Sequence, residues 1–402
     1  MTNFDFSISQ KLGDQALSRK QIACLVFLLF VIPQGWISAW AWEQDLRGLY
    51  LILISFFFST LLVPFAIYLA IRFMILDMPS DRKMHTAATP RLGGLAVYGA
   101  TMLTLLRNDQ WDSELMALAA GGTLIFMLGV YDDAKGLSAR IRLIGQLAAA
   151  AIVIAGGVCV DFFSHIPGKH ALDAALTAFG IIGITNAVNF LDGIDGLAGG
   201  MGALCSALFL AIAWPVKQKH LAYASSALCG SCLGFLPFNW QPARVFLGDG
   251  GATFIGFMLA GLGVLCTRSD AQLPIVRAAT PIIILSIPIF DMIYTTLSRI
   301  RRGAVHNFRE WIEYTGRDHF HHRLMKLGLS APGAVKFILL LNLCIGLNAV
   351  ANRFTSRRII SALLLSQTAL IFAIVVVLML LGRELTGQHD DESAPRRENA
   401  SL

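Results

Sequence analysis

Apolar stretches of about the length a helix needs to cross a bilayer recur along almost the whole chain, and no other feature constrains the fold as strongly. They fall at roughly 21–42, 49–73, 92–107, 115–131, 141–160, 171–190, 196–215, 220–238, 251–267, 277–297, 333–351 and 358–382. Inside hydrocarbon every backbone N–H and C=O must be bonded within the protein, so such stretches become helices. Charged residues make up 14% of the 402, against about 25% in soluble domains, and hydrophobic residues make up 55%. That balance excludes a disordered chain, a coiled coil and an ordinary water-soluble globule. The expected fold class is all-α: a polytopic integral membrane helical bundle of about 11–12 transmembrane helices. Seven cysteines without regular spacing exclude a disulfide scaffold. The net charge of +6 suits loops facing a lipid bilayer or phosphates and gives no reason to expect nucleic acid.

With the N-terminus inside, about two thirds of the 32 Lys and Arg residues fall on the inner face, as the positive-inside rule requires. The expected order is a cytoplasmic segment over 1–20, a first transmembrane helix and outer loop over 21–48, one transmembrane domain over 49–382, and a disordered cytoplasmic tail over 383–402. Lys11, Arg19, Lys20 and Ala39-Trp40-Ala41 superficially fit a cleaved signal. Trp36, Trp40 and Trp42 read better as an interfacial aromatic belt.

In this orientation nearly every cluster of acids, amides and histidines lands on the inner face. Asp77 to His85 follows the second span, and Pro90-Arg91-Leu92-Gly93-Gly94 enters the third. Asp132-Asp133 ends the fourth, and Asn186, Asn189, Asp192 and Asp195 end the sixth. Gly248-Asp249-Gly250-Gly251 precedes the ninth, and His319, His321, His322 and Arg323 lie in the long insert after the tenth. The outer loops carry only scattered polar groups such as Asp161, His165, His170 and Asp270. One-sided convergence points to a single active site at the inner membrane surface.

Each cluster has a chemistry and a plainer alternative. Paired carboxylates at Asp132 and Asp133 suit divalent-metal binding, nucleophilic attack or proton transfer; a solvated turn is the alternative. The run N-x-x-N-x-x-D-G-x-D-G offers hard oxygen ligands of the kind Mg²⁺ shares with substrate phosphates, or simple helix capping. The glycines around Asp249 allow close backbone approach and free N–H groups for phosphate, though such a run is most often a turn. The histidine run lacks the H-E-x-x-H zinc pattern and, beside Arg317, Arg323 and Lys326, reads as a phosphate-gripping loop. Asp291 sits inside the tenth span, where an acid faces the bundle interior and finds a partner that sequence does not identify. Cys229 and Cys232 form a C-x-x-C in an apolar span and read as small packing residues.

Together these motifs resemble the polyprenyl-phosphate N-acetylhexosamine-1-phosphate transferase superfamily. The matching elements are D-M-P-S-D-R-K-M-H at 77–85, P-R-L-G-G at 90–94, Y-D-D at 131–133, N-A-V-N-F-L-D-G-I-D-G-L-A at 186–198, F-L-G-D-G-G at 246–251 and D-H-F-H-H-R-L at 318–324. P-R-L-G-G is similar to the branch using UDP-N-acetylglucosamine for O-antigen, common-antigen or teichoic-acid linkage units. The resemblance implies a UDP-N-acetylhexosamine donor, an undecaprenyl phosphate acceptor, and Mg²⁺ with Mn²⁺ as a substitute. It implies work at the cytoplasmic face of a bacterial inner membrane, and it leaves room for a homodimer. By motif match Asp132 and Asp133 are catalytic, and Asn189 and Asp249 are metal ligands. Arg142, Asn186, Asp192, Asp195, His319, His321, His322 and Arg323 then bind substrate. The domain over 49–382 becomes the phosphoglycosyltransferase domain, and the helix before it is extra to the family. The family's glycine motif often reads G-D-S-G-S, so hydroxyl contacts to phosphate are in doubt here. The competing class is a polytopic transporter or lipid flippase, which would need midplane binding groups and usually internal repeats.

Overall fold

The computed structural model describes residues 41, 46–78, 88–108, 110–163, 168–268, 274–303, 305 and 319–392. The extra helix expected over 21–42 (all but Ala41), most of the motif at 77–85, Arg317 and residues 393–402 lie outside the described residues. Helix α1 spans Arg47–Arg72 and is followed by a short antiparallel ribbon, β1 (Leu76–Asp77) with β2 (Thr89–Pro90). Then come α2 (Gly94–Asn108), α3 (Ser113–Lys135), α4 (Ala139–Ala155), α5 (Lys169–Leu191), α6 (Leu197–Ala213) and α7 (Lys219–Asn239). They are followed by α8 (Gly248–Thr267), α9 (Pro274–Ile284), α10 (Ser286–Arg301), α11 (Phe320–Lys326), α12 (Ala331–Phe354) and α13 (Arg358–Glu392).

Every apolar stretch from the second onward falls on a helix, and the chain is a multi-pass helical membrane protein. Seven of the described helices are long and apolar enough to span, or eight if α9 and α10 count as one span bent by 76°. The sequence expects about 11–12; one of these, over 21–42, falls on residues that are not described, and the rest of the difference is one of length. Helices α2, α4 and α6 have 15, 17 and 17 residues, short of the roughly 20 a straight crossing needs. Glycines and capping side chains end them early: Ser138 Oγ accepts the Ile141 N–H at 3.4 Å to start α4, and Gly196, at φ +81°, precedes α6. Pro281 and Pro288 flank the bend between α9 and α10, where each removes a helical N–H donor. Helix α13 continues past Leu381 to Glu392, through the first part of the segment expected to be a disordered tail. Arg383, Glu384 and Leu385 there are good helix formers and prolong the helix.

Helix α8 is the central element: 94% of its apolar stretch is buried, against 17% for α13, which faces outward. Between apolar helices in lipid, close packing rather than water exclusion drives association, so small residues mark the contacts. A Cβ at Gly230 of α7 would meet the Ile52 carbonyl of α1 at 2.2 Å, so those backbones touch. Cys229 and Cys232 are free and buried in α7, as packing residues would be.

Candidate active site

The P-R-L-G-G and F-L-G-D-G-G segments, distant in sequence, join backbone to backbone. Gly93 and Gly94 donate to the carbonyls of Phe246 and Leu247 at 2.9 and 2.8 Å, and Phe246 donates to Pro90 at 2.8 Å. Two glycines of α8 then let three helices meet. A Cβ at Gly251 would lie 2.5 Å from the Gly94 Cα, and one at Gly129 would lie 2.5 Å from the Gly250 Cα. Gly250 and Gly251 therefore face helices α3 and α2. Sequence reading sends these N–H groups to a phosphate; the structure instead has Asp133 accepting from Asp249 N–H and Gly250 N–H, both at 3.1 Å.

The two adjacent acids of α3 part company. Asp133 is buried, its side chain 1% exposed, and Arg91 Nε reaches it at 3.1 Å. Arg91 also contacts Asp249 Oδ1 at 3.2 Å, so one guanidinium ties α3 to the start of α8. Burial would lower the Arg91 pKa, but the carboxylates of Asp133, Asp249, Asp77 and Asp192 outweigh it and hold the pKa above its ordinary value. Asp132 points the other way, into a cleft. Its Oδ2 meets Arg142 Nη1 at 3.2 Å and its Oδ1 accepts the Leu137 N–H at 2.6 Å.

That cleft is lined by Asp132, Arg142, Gln146, Asn186, Asn189 and Asp249, with Thr253 one turn above Asp249 and Ile125 and Leu128 forming an apolar side. Gln146 and Asn186 hold each other through reciprocal amide bonds of 3.2 and 2.9 Å, and Asn186 also donates to Ile182 O at 2.8 Å. The Asn186 donors are thus committed to bracing the wall. Asn189 has no side-chain hydrogen-bond partner among the described residues. Asp192 caps the end of α5, and burial first, then the charge of Asp249, pushes its pKa well above the ordinary value. Four acids therefore crowd two guanidinium groups, beside a carboxamide with no hydrogen-bond partner among the described residues. Hard oxygen donors with excess negative charge fit a hydrated divalent cation.

Asp195 does not stand in the cleft's lining. Its Oδ2 accepts the Ala243 N–H at 3.0 Å, and Asn239 accepts from Gly196 N–H at 3.0 Å while donating to Val245 O at 3.0 Å. These bonds pin the loop that leads to Asp249.

The histidine motif arrives from the other side. His321 is buried, and its Nε2 lies 3.0 Å from where a Gly193 Cβ would be, so the motif abuts the D-G-I-D-G run. Neither ring nitrogen of His321 has a hydrogen-bond partner among the described residues. Burial, with the neighbouring His322 and His319 against the opposing Asp291, lowers its pKa to about 3, so the ring is neutral. The His321 and His322 rings lie 4.2 Å apart. Arg323 is buried and stacks over the Tyr294 ring at 5.0 Å. Asp291 finds its partner here: its Oδ2 meets His319 Nδ1 at 2.8 Å, and its Oδ1 accepts the Phe320 N–H at 2.7 Å.

Of the residues expected in the site, Asp132, Arg142, Asn186, Asn189 and Asp249 share one cleft, and Asp192 adjoins it electrostatically. Asp133, Asp195 and His319 are braced against other protein groups. Sequence reading passed over Arg91, Gln146 and Thr253 as site residues. Arg91 belongs to P-R-L-G-G, and Gln146 is a polar residue one turn after Arg142 in an apolar run.

Comparison with known proteins places the chain in a class. The sequence model of glycosyl transferase family 4 matches residues 115–267, which run from α3 to the end of α8. A probable undecaprenyl-phosphate N-acetylglucosaminyl 1-phosphate transferase of Bacillus subtilis is 30% identical over 359 residues, covering 88% of this chain and 96% of the relative. A decaprenyl-phosphate N-acetylglucosaminephosphotransferase of Mycobacterium leprae is 28% identical, covering 85% of this chain and 92% of that one. An undecaprenyl-phosphate alpha-N-acetylglucosaminyl 1-phosphate transferase of Escherichia coli K12 is 29% identical over 71% of this chain and 78% of its own length. The chain belongs to the polyprenyl-phosphate N-acetylhexosamine-1-phosphate transferase superfamily.

Proposed function

We propose that this protein transfers N-acetylglucosamine 1-phosphate from UDP-N-acetylglucosamine to undecaprenyl phosphate, giving undecaprenyl-diphosphate-N-acetylglucosamine and UMP. The observation that supports it most is the cleft in which Asp132, Arg142, Asn189 and Asp249 converge from four helices, in a chain whose relatives bear the names of such transferases. The Lys and Arg excess supports a cytoplasmic position for this face, where a nucleotide sugar is found, in a bacterial plasma membrane. The product would open a cell-surface polysaccharide pathway of the O-antigen, common-antigen or teichoic-acid type.

Chemically, an oxygen of the lipid phosphate attacks the sugar-linked phosphorus of the donor, the diphosphate bond breaks, and UMP leaves with the bridging oxygen. A phosphate monoester has a second pKa near 6, so the nucleophile is largely dianionic at neutral pH and a general base adds little. The protein's task is to hold two anions together. Arg142, oriented by Asp132, has N–H groups left for a phosphate at the cleft. Arg91 fixes Asp249 and Asp133, and Asp133 has both oxygens committed, which argues against it as a nucleophile. Asn189 and Asp249, with Asp192 adjoining, would hold Mg²⁺, or Mn²⁺ in its place. When bound, the cation would screen the two substrates and stabilise charge on the departing phosphate. His321, His322 and Arg323 would face the nucleotide from beside Gly193.

The test is purified protein with undecaprenyl phosphate and a panel of UDP-sugars, with the lipid product identified by mass. Lipid-dependent UMP release with UDP-N-acetylglucosamine is expected. UMP release without lipid would point instead to a covalent phospho-aspartyl route, and no release with any sugar would remove the assignment.

A further inference from the structure

Asp291 lies in α10, on an element none of the cleft residues occupies, and its side chain is buried at 1% exposure. A carboxylate kept in so dry a place needs several donors. It has them: His319 Nδ1 at 2.8 Å, the Phe320 N–H at 2.7 Å and the Thr295 hydroxyl at 3.4 Å. The first two partners are the residue before α11 and its first residue, so one carboxylate fixes both the entry and the direction of the histidine helix. On the far side of the same ring, Arg299 Nη2 lies 3.5 Å from His319 Nε2. A guanidinium can only donate, so Nε2 accepts and the proton sits on Nδ1, facing Asp291. His319 therefore has both nitrogens turned to protein. His321, two residues on, has neither nitrogen partnered among the described residues and is aimed at Gly193. The motif divides its labour: one ring is anchored so that the other is presented.

We propose that Asp291 is a positioning residue of the transferase, acting through His319 and the Phe320 backbone to hold His321 against the Gly193 segment. This rests on the transferase reading above. Asp291→Asn leaves one acceptor oxygen, enough for His319 or for Phe320 but not both. In the full-length protein in detergent, with UDP-N-acetylglucosamine and undecaprenyl phosphate, this variant should lose on the order of 10- to 100-fold in kcat/KM for the nucleotide sugar. The KM for the lipid should stay unchanged. The double variant Asp291→Asn/His321→Ala should be no slower than His321→Ala alone, because the anchor has nothing left to present. His319→Asn places an amide donor where Nδ1 stood and should keep most of the turnover, whereas His319→Ala should fall as Asp291→Asn does. That pair carries the test if Asp291→Asn fails to fold. Losses that multiply in the double variant, or His319→Asn as inactive as His319→Ala, would overturn the proposal and make His319 a substrate contact. Normal UMP release by the unsubstituted chain with an insensitive Asp291→Asn overturns the proposal alone. No release by the unsubstituted chain overturns the transferase reading with it.

Discussion

Asp249 shows how much one side chain is asked to do. It opens α8, takes the Arg91 guanidinium on Oδ1, gives its N–H to Asp133, and lines the cleft with Asn189. Asp249→Ala should leave the helix start intact, because its backbone bonds remain, yet abolish divalent-dependent turnover. Titrating Mg²⁺ against UMP release checks this, and retained activity would remove Asp249 from the metal shell. His321 carries the pH dependence. Its pKa, lowered to about 3 by burial, lies below the ordinary 6.5, so the folded state resists protonation. The stability this contributes is complete above about pH 6.5 and is lost as pH falls toward 3. Thermal unfolding in detergent should show a midpoint that drops on acidification below about 6.5, and His321→Gln should flatten that drop. An unchanged slope would mean that other groups govern acid sensitivity.

At the scale of elements, the site depends on how closely three helices approach. Gly250 and Gly251 read in sequence as a turn or a phosphate cradle, and only the packing shows them to be contact surfaces for α3 and α2. Gly251→Ala would put a methyl 2.5 Å from the Gly94 Cα, against backbone that cannot step aside. The expected cost is about 1–3 kcal/mol of stability, as for other overpacked contacts. Activity should fall further than that, because Asp249 moves with its helix. A lowered unfolding midpoint together with lost turnover is the expected pair of readings; turnover equal to the parent's would show that the junction has slack. Residue 180, also a glycine, has open space around its Cβ position, and Gly180→Ala on α5 serves as the control.

For the molecule as a whole, the proposed reaction requires the cleft to open toward the cytoplasm. Lys135 lies exposed at the end of α3 beside the cleft, and His170 lies exposed at the start of α5 on the opposite end of the bundle. In intact spheroplasts, His170→Cys should react with a membrane-impermeant thiol reagent, and Lys135→Cys should react only after permeabilisation. The reverse pattern would invert the topology and separate the cleft from any cytoplasmic nucleotide sugar. Much of this plan was legible in the sequence. The apolar stretches from 49 to 382 became helices, and the acids and amides of the Y-D-D, N-x-x-N and G-D-G-G runs converged on one face. These signals are local: hydropathy acts over one helix length, and a motif keeps its ligands within a turn or two. What the tertiary structure alone decided was partnership. Asp133 meets Gly250 across 117 residues, Arg91 meets Asp249 across 158, and Asp291 meets His319 across 28. Such pairs depend on which backbones can touch, and that is set by small residues on distant helices. Hence the chemistry of each segment was written in its own residues, while the division between groups that brace and groups that face the cleft arose only when the helices packed.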